Sequence, residues 1–223
     1  MLDERCSQIT ACTYHSFCAK MLRKYSQLIG IQSDYTIIDP GDCADIISII
    51  ETEHGMDKVK DFPRSSQLVS AHSKALNTNQ SLEDTLFDMF GKWKYMEIER
   101  FIPDIKKILA DYQSYKKQNN MMDYDDLLIN FISVLKRNPS IKNKLADIYQ
   151  YIMIDEYQDS NYLQEKIIFM LREKNRNLAV VGDDYQCIYG FRGSMVENII
   201  NFPQKMSGCK VVYLTQNYRS NQE

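Results

Sequence analysis

The chain has 223 residues, 44% of them hydrophobic and 26% charged, with a formal net charge of -3 and a pI near 5.7. That composition excludes a disordered or fibrous protein, and no apolar run reaches the ~20 residues of a membrane-spanning helix. The slight acidity does not advertise nucleic-acid binding, although it leaves room for a local basic groove.

In chain order, Ile9 to Thr13 is a short β-like run, and His15 to Tyr25 reads as a helix with Phe17, Met21, Leu22 and Tyr25 on one side. Thr13, His15 and Ser16 then fall at a strand-to-helix junction, where backbone N–H groups and small hydroxyls suit phosphate. The other reading of His15 is a helix-start residue with its hydrogen bonds satisfied internally. Pro40, Gly41 and Asp42 mark a turn, and Asp42 is the expected cap of a helix through Ile46, Ile47, Ile49 and Ile50. Helices are predicted over Ser65–Leu76 and Leu82–Phe90, the second opened by Ser81 with Asp84 as a capping pair. The longest helical pattern runs from Pro103 to Gln118, with Ile105, Ile108, Leu109, Tyr112 and Tyr115 as its apolar stripe. Lys106, Lys107, Lys116 and Lys117 fall largely on its other faces, either solvated or laid along a phosphate backbone. Nothing in residues 39–119 reads as a strong strand, so this stretch is expected to be an all-helical insertion. Asp123 caps the next helix, whose stripe is Leu127, Leu128, Phe131, Ile132 and Leu135.

Tyr151 to Ile154 is an apolar run too short for a helix, and it ends in Asp155, Glu156, Gln158 and Asp159. A helical segment follows, and Leu178 to Val181 makes a second apolar run ending in Gly182, Asp183, Asp184 and Gln186. Strand, helix, strand with polar groups at both carboxyl ends is how an open parallel sheet presents a ligand site. On residue types alone, the acidic run is either a solvated strand end or a hydrolytic site. In the second case one carboxylate holds a hydrated magnesium ion and its neighbour polarises a water. A short helix over Met195–Phe202 and a strand over Lys210–Leu214 complete the pattern, the strand delivering Gln216, Asn217, Tyr218 and Arg219.

DEYQDSN, then VGDDYQCIYGFRG, then LTQNYRS, with TYHSFCAKMLR near the start and DYDDLL at 123–128, together resemble motifs of the UvrD/PcrA/Rep-type superfamily 1 DNA helicases. The resemblance implies an α/β fold of the P-loop NTPase (RecA-like) kind, a parallel sheet flanked by helices. Its ATPase domain would comprise residues 1–38 and 120–223, interrupted by a helical domain at 39–119. It implies ATP and Mg2+ as cofactors, single-stranded DNA and duplex–single-strand junctions as partners, and translocation in the 3′–5′ direction in repair or replication. Carried over residue by residue, Asp155 would hold magnesium through water and Glu156 would be the catalytic base. Gln158 and Asp159 would couple the site, Gln186 would contact the γ-phosphate, Tyr218 would stack on adenine and Arg219 would be an arginine finger. Thr13, His15, Ser16, Tyr189, Phe191 and Arg192 would face DNA, with core packing as the other reading of Tyr189 and Phe191.

No G-x-x-x-x-G-K-[ST] run is present: Gly91-Lys92 is the only Gly-Lys pair, with Leu86 where the first glycine belongs and Trp93 after the lysine. The expectation is therefore a portion of a longer enzyme, inactive alone, with its P-loop upstream and its second motor domain elsewhere in the same parent chain. An AddA/RecB-like helicase–nuclease and a non-catalytic DNA-binding or interaction module are the competing readings. The start, MLDERCSQIT, lacks the apolar core of a signal peptide, and the six cysteines form no C-x-x-C pair. Reduced thiols in a cytoplasmic protein, with no zinc and no membrane, are expected.

Overall fold

Local capping chemistry fixes where the helices begin. The computed structural model describes residues 9–183 and 196–216, without the side chains of residues 196 and 197. Thr13 has an extended backbone and its hydroxyl accepts the Ser16 N–H (3.2 Å), opening α1 (Tyr14–Tyr25). The β-like run before it, Ile9–Thr13, is exposed and forms no strand. A strand needs a neighbouring ladder, and none lies beside this run among the described residues.

After α1 the chain passes through β1 (Thr36–Ile37) into four helices, α2 (Pro40–Glu53), α3 (Ser65–Thr78), α4 (Leu82–Ile98) and α5 (Ile102–Gln118). It returns through β2 (Met121–Met122), which pairs in parallel with β1, Thr36 opposite Met121. Asp39, not Asp42, caps α2. Asp39 takes the Gly41 and Asp42 N–H groups, Pro40 occupies the first helical position, and Asp42 closes the capping box from the third. Ser81 accepts the Asp84 N–H at 3.0 Å and opens α4 as the sequence predicts. Helix α4 runs further than Phe90 but breaks at Gly91, whose φ of 71° suits a residue without a Cβ. Ile47, Leu68, Leu86, Ile98, Ile105 and Ile108 are wholly buried between these helices, each contributing about 1.5–3 kcal/mol on leaving water.

Then come α6 (Tyr124–Arg137), α7 (Pro139–Ile148), β3 (Ile152–Ile154), α8 (Tyr162–Arg172) and β4 (Leu178–Val180). A second core joins α1, α6 and α8 through Cys18, Leu22, Leu128, Phe131, Leu163 and Ile167, with the Phe17 ring edge-on to Phe131 and Tyr149. β3 and β4 pair in parallel, Ile152 opposite Leu178 and Ile154 opposite Val180. This is the strand–helix–strand arrangement read from the sequence. The expected helix at Met195–Phe202 is two short pieces, α9 (Val196–Ile200) and α10 (Phe202–Lys205). Lys210–Leu214 is not a strand: Val212 and Leu214 are 69% and 87% exposed, with no ladder beside them among the described residues. The protein is thus mostly helical, with two small parallel sheets among the described residues. No described helix is long and apolar enough to cross a membrane.

One lysine departs from the expected exposed face of α5. Lys106 does reach outward to Glu83 (2.6 Å), but Lys116 is only 1% exposed and is held by Asp123 and Asp126. Its ammonium enters the core because two carboxylates meet it there.

Candidate functional site

The acidic loop after β3 is built around one strained residue and one buried amide. Glu156 has φ 49°, ψ 45°, a left-handed conformation that costs a non-glycine residue roughly 1 kcal/mol and persists where its surroundings enforce it. The enforcement is visible. Val181 N–H donates to the Ile154 carbonyl (2.8 Å), Tyr157 N–H donates to the Val181 carbonyl (2.9 Å), and Asp159 N–H closes a turn on the Glu156 carbonyl (2.9 Å). The Tyr157 side chain is fully buried, its ring edge-on to Phe202 and its hydroxyl donating to Glu165 (2.7 Å). Burial, with Glu165 alongside, pushes that hydroxyl's pKa well up, so it stays a donor.

Gln158, 1% exposed, bridges the two strand ends. Its Nε2 donates to Glu156 Oε2 (2.6 Å) and its Oε1 accepts the Asp183 N–H (3.1 Å). A carboxylate only accepts and a backbone N–H only donates, so the amide has one workable orientation. Asp155 and Glu156 remain exposed, and Asp155 Oδ1 accepts the Glu156 N–H at 3.0 Å. The structure thus brings Asp155, Glu156 and Gln158 together, and it adds Asp183 from the second strand end.

Gly182 is what lets the two loops close. A Cβ there would lie 2.4 Å from Gln158 Oε1 and 2.5 Å from Ile199 Cδ1. Gly182→Ala is therefore expected to push Gln158 off Asp183 and release Glu156, at a cost of about 1–3 kcal/mol from overpacking. Thermal melting of the variant beside wild type checks this, and an unchanged melting temperature would show that the loop has room to spare.

The second group of expected site residues lies at the start of α1. Thr13 and Ser16 are exposed, and the Thr13 hydroxyl donates to Ser16 Oγ (3.0 Å) while capping the helix. Accepting that bond, Ser16 keeps its own hydroxyl proton to donate. The first turn carries no acidic side chain to offset the positive end of its dipole, and Thr13 takes the Ser16 and Phe17 N–H groups, which leaves those of Tyr14 and His15. His15 is half-buried, and burial lowers its pKa against the opposing pull of Asp125. It is therefore neutral at pH 7, a hydrogen-bonding group rather than a cation. Its ring meets the Tyr124 ring edge-on at 5.6 Å, and Tyr124 is 45% exposed. Sequence reading missed Tyr124; the available signal was an aromatic residue at the first position of a helix, between two aspartates.

Tyr14 links the two groups. Its hydroxyl lies 3.4 Å from Ser160 Oγ, and Asn198 Nδ2 donates to the Ser160 carbonyl (3.1 Å). Burial raises the Tyr14 hydroxyl to about 12. Gln186, Tyr189, Phe191, Arg192, Tyr218 and Arg219 lie outside the described residues.

Carboxylates on one parallel-strand end, tied to the next by a buried amide, place a candidate site at the carboxyl edge of a sheet. A family model for the UvrD/REP helicase N-terminal domain matches residues 1–207, and the chain belongs to that family. It is similar to the ATP-dependent DNA helicase PcrA of Staphylococcus epidermidis, with 32% identity over 220 residues, and to the protein of that name from Staphylococcus aureus at 31%. Each comparison covers 99% of this chain and 29% of the relative, so the chain spans less than a third of the length of the relatives it matches.

Proposed function

We propose that this chain is part of the motor of an ATP-dependent DNA helicase. In this reading residues 1–38 and 120–223 belong to a P-loop (RecA-like) ATPase domain, and residues 39–119 are a helical domain inserted into it. Glu156 is the base that polarises the attacking water, and Gln158 orients it and ties it to the second strand end. The donor set fits magnesium. That ion keeps most of its waters and takes one or two carboxylates plus phosphate, and Asp155 and Glu156 are adjacent and exposed. Bound there, it would neutralise charge on the phosphates. Gln186, Tyr218 and Arg219 complete the nucleotide site by resemblance, as Tyr189, Phe191 and Arg192 complete the DNA path. Movement 3′–5′ on single strands, action at duplex junctions in repair or replication, a second motor domain in the same protein and a cytoplasmic setting belong to the same reading.

The observation that supports it most is the short path from the acidic loop to the α1 start, Ser160 to Tyr14, with a neutral His15 and an exposed Tyr124 at that helix start. A phosphate on the amides with a base against Tyr124 is a sequence-blind grip on single-stranded DNA. Tyr124→Ala is expected to weaken binding of a fluorescent oligo(dT) by ~1–3 kcal/mol. The check is fluorescence anisotropy at one fixed salt concentration, with the melting temperature measured alongside. Unchanged affinity in a folded variant would move the DNA path elsewhere.

A further inference from the structure

Four consecutive residues at the start of α6 reach three different helices. Asp123 caps α6 by accepting the Asp126 N–H (2.8 Å), and Asp126 returns the contact to the Asp123 N–H (3.1 Å). Both carboxylates also take the Lys116 ammonium of α5, and Tyr112 of α5 donates its hydroxyl to Asp123 (2.9 Å). Asp125 accepts from Asn77 of α3 (2.7 Å), and Tyr124 meets His15 of α1. Tyr112 belongs to the core of α2–α5, whereas Leu127 and Leu128 belong to the core shared with α1. Residues 123–126 are therefore the joint between the two cores, and the most exposed side chain of the four is the aromatic ring beside His15.

Lys116 holds the joint from the α5 side. Its ammonium sits 4.3 Å from the centre of the Tyr112 ring and binds both carboxylates of the capping box at once. A lysine seven residues ahead of Asp123 can satisfy both only if the end of α5 and the start of α6 keep one relative placement. A displacement of α5 therefore pulls on Asp123 and Asp126, the residues that flank Tyr124 in the first turn.

We propose that Lys116 is a positioning residue for the DNA-contact face: by gripping both ends of the α6 capping box it sets Tyr124 against His15 and carries the placement of α2–α5 to the nucleic-acid surface. The proposal rests on the reading of Tyr124 as a DNA contact. It predicts that a change at Lys116 alters DNA affinity through Tyr124 and by no other route.

A double-mutant cycle on the 223-residue chain tests this, with oligo(dT) anisotropy at fixed salt and a temperature at which every variant is folded. Lys116→Met is combined with Asp126→Asn, so that the charge of the cluster stays the same and an amide remains in the capping box. This pair of changes is expected to weaken binding on the order of threefold to tenfold in the wild-type background and to have no further effect in the Tyr124→Ala background, as coupling between neighbours requires. Lys116→Arg, which keeps the charge, runs through the same cycle if the paired variant fails to fold and is expected to show a smaller loss with the same dependence on Tyr124. An equal loss in both backgrounds, or none in the first, overturns the positioning role while leaving Tyr124 a DNA residue. No effect of Tyr124→Ala by itself overturns the DNA-face reading and the proposal with it.

Discussion

Glu156→Gln is expected to slow ATP hydrolysis by about 10²–10⁴-fold while leaving nucleotide affinity nearly unchanged. Glutamine matches glutamate in size, and its carbonyl still accepts the Gln158 amide that now donates to Glu156 Oε2 (2.6 Å). The left-handed turn at 156 and its backbone ties to Val181 do not involve the carboxylate, so the loop keeps its shape. Only the proton-accepting oxygen is lost. The measurement is steady-state turnover of the protein in which this chain is joined to the rest of its motor, with single-stranded DNA present, beside equilibrium binding of a fluorescent ATP analogue. Turnover within tenfold of wild type would remove Glu156 from the base role and leave it as a residue that merely shapes the loop.

The elements that follow from local rules were legible in the sequence. The apolar runs of β3 and β4, the stripe of α6 and the caps at Ser81 and Asp123 all stand where periodicity and capping chemistry put them. The expected cap of α2, Asp42, is instead the third helical residue of a capping box opened by Asp39, and the sequence shows only that two carboxylates stand three apart. What was not legible depends on partners distant in the chain. Ile9–Thr13 and Lys210–Leu214 have strand-like composition, but the pairing that makes a strand is a property of neighbours. Lys116 stands four residues after Tyr112 and seven after Leu109, so periodicity puts it in line with the apolar stripe, and only the fold shows that Asp123 and Asp126 meet its charge there. The amide of Gln158 joins two motifs through a contact 25 residues apart, which no spacing rule supplies. The expected contacts at Gln186, Tyr189, Phe191, Arg192, Tyr218 and Arg219 lie outside the described residues.

The same buried lysine gives the largest expected effect on stability. Removing one partner of a buried ionic cluster leaves charge without compensation and typically costs ~3–5 kcal/mol, so Lys116→Met alone should destabilise the chain by that order. The loss should also depend on pH, and its sign follows from the two carboxyls. Burial and the neighbouring charge of Asp123 raise Asp126 from the ordinary 3.8 to about 6, with Lys116 pulling the other way. A carboxyl raised in the folded state contributes stability that is fully present below its unfolded value and is lost as pH rises through about 6. Burial pushes Asp123 up too, but Lys116, the Asp126 N–H and Tyr112 more than offset this and hold it below the ordinary value. Its contribution is present above the ordinary value and lost as pH falls. The groups around the pair do not reverse this balance: burial keeps His72 neutral, raises Asp125, and keeps the Tyr112 hydroxyl and the Cys43 thiol protonated. Without the ammonium both carboxyls rise, and both then resist ionisation. The deficit of Lys116→Met relative to wild type should therefore be largest at pH 7–8 and shrink toward pH 5. Asp126→Asn in the same background should recover most of it at the higher pH. Urea unfolding of the three proteins across that range decides the matter, and a deficit that stays constant with pH would mean that lost packing, and not buried charge, accounts for the effect.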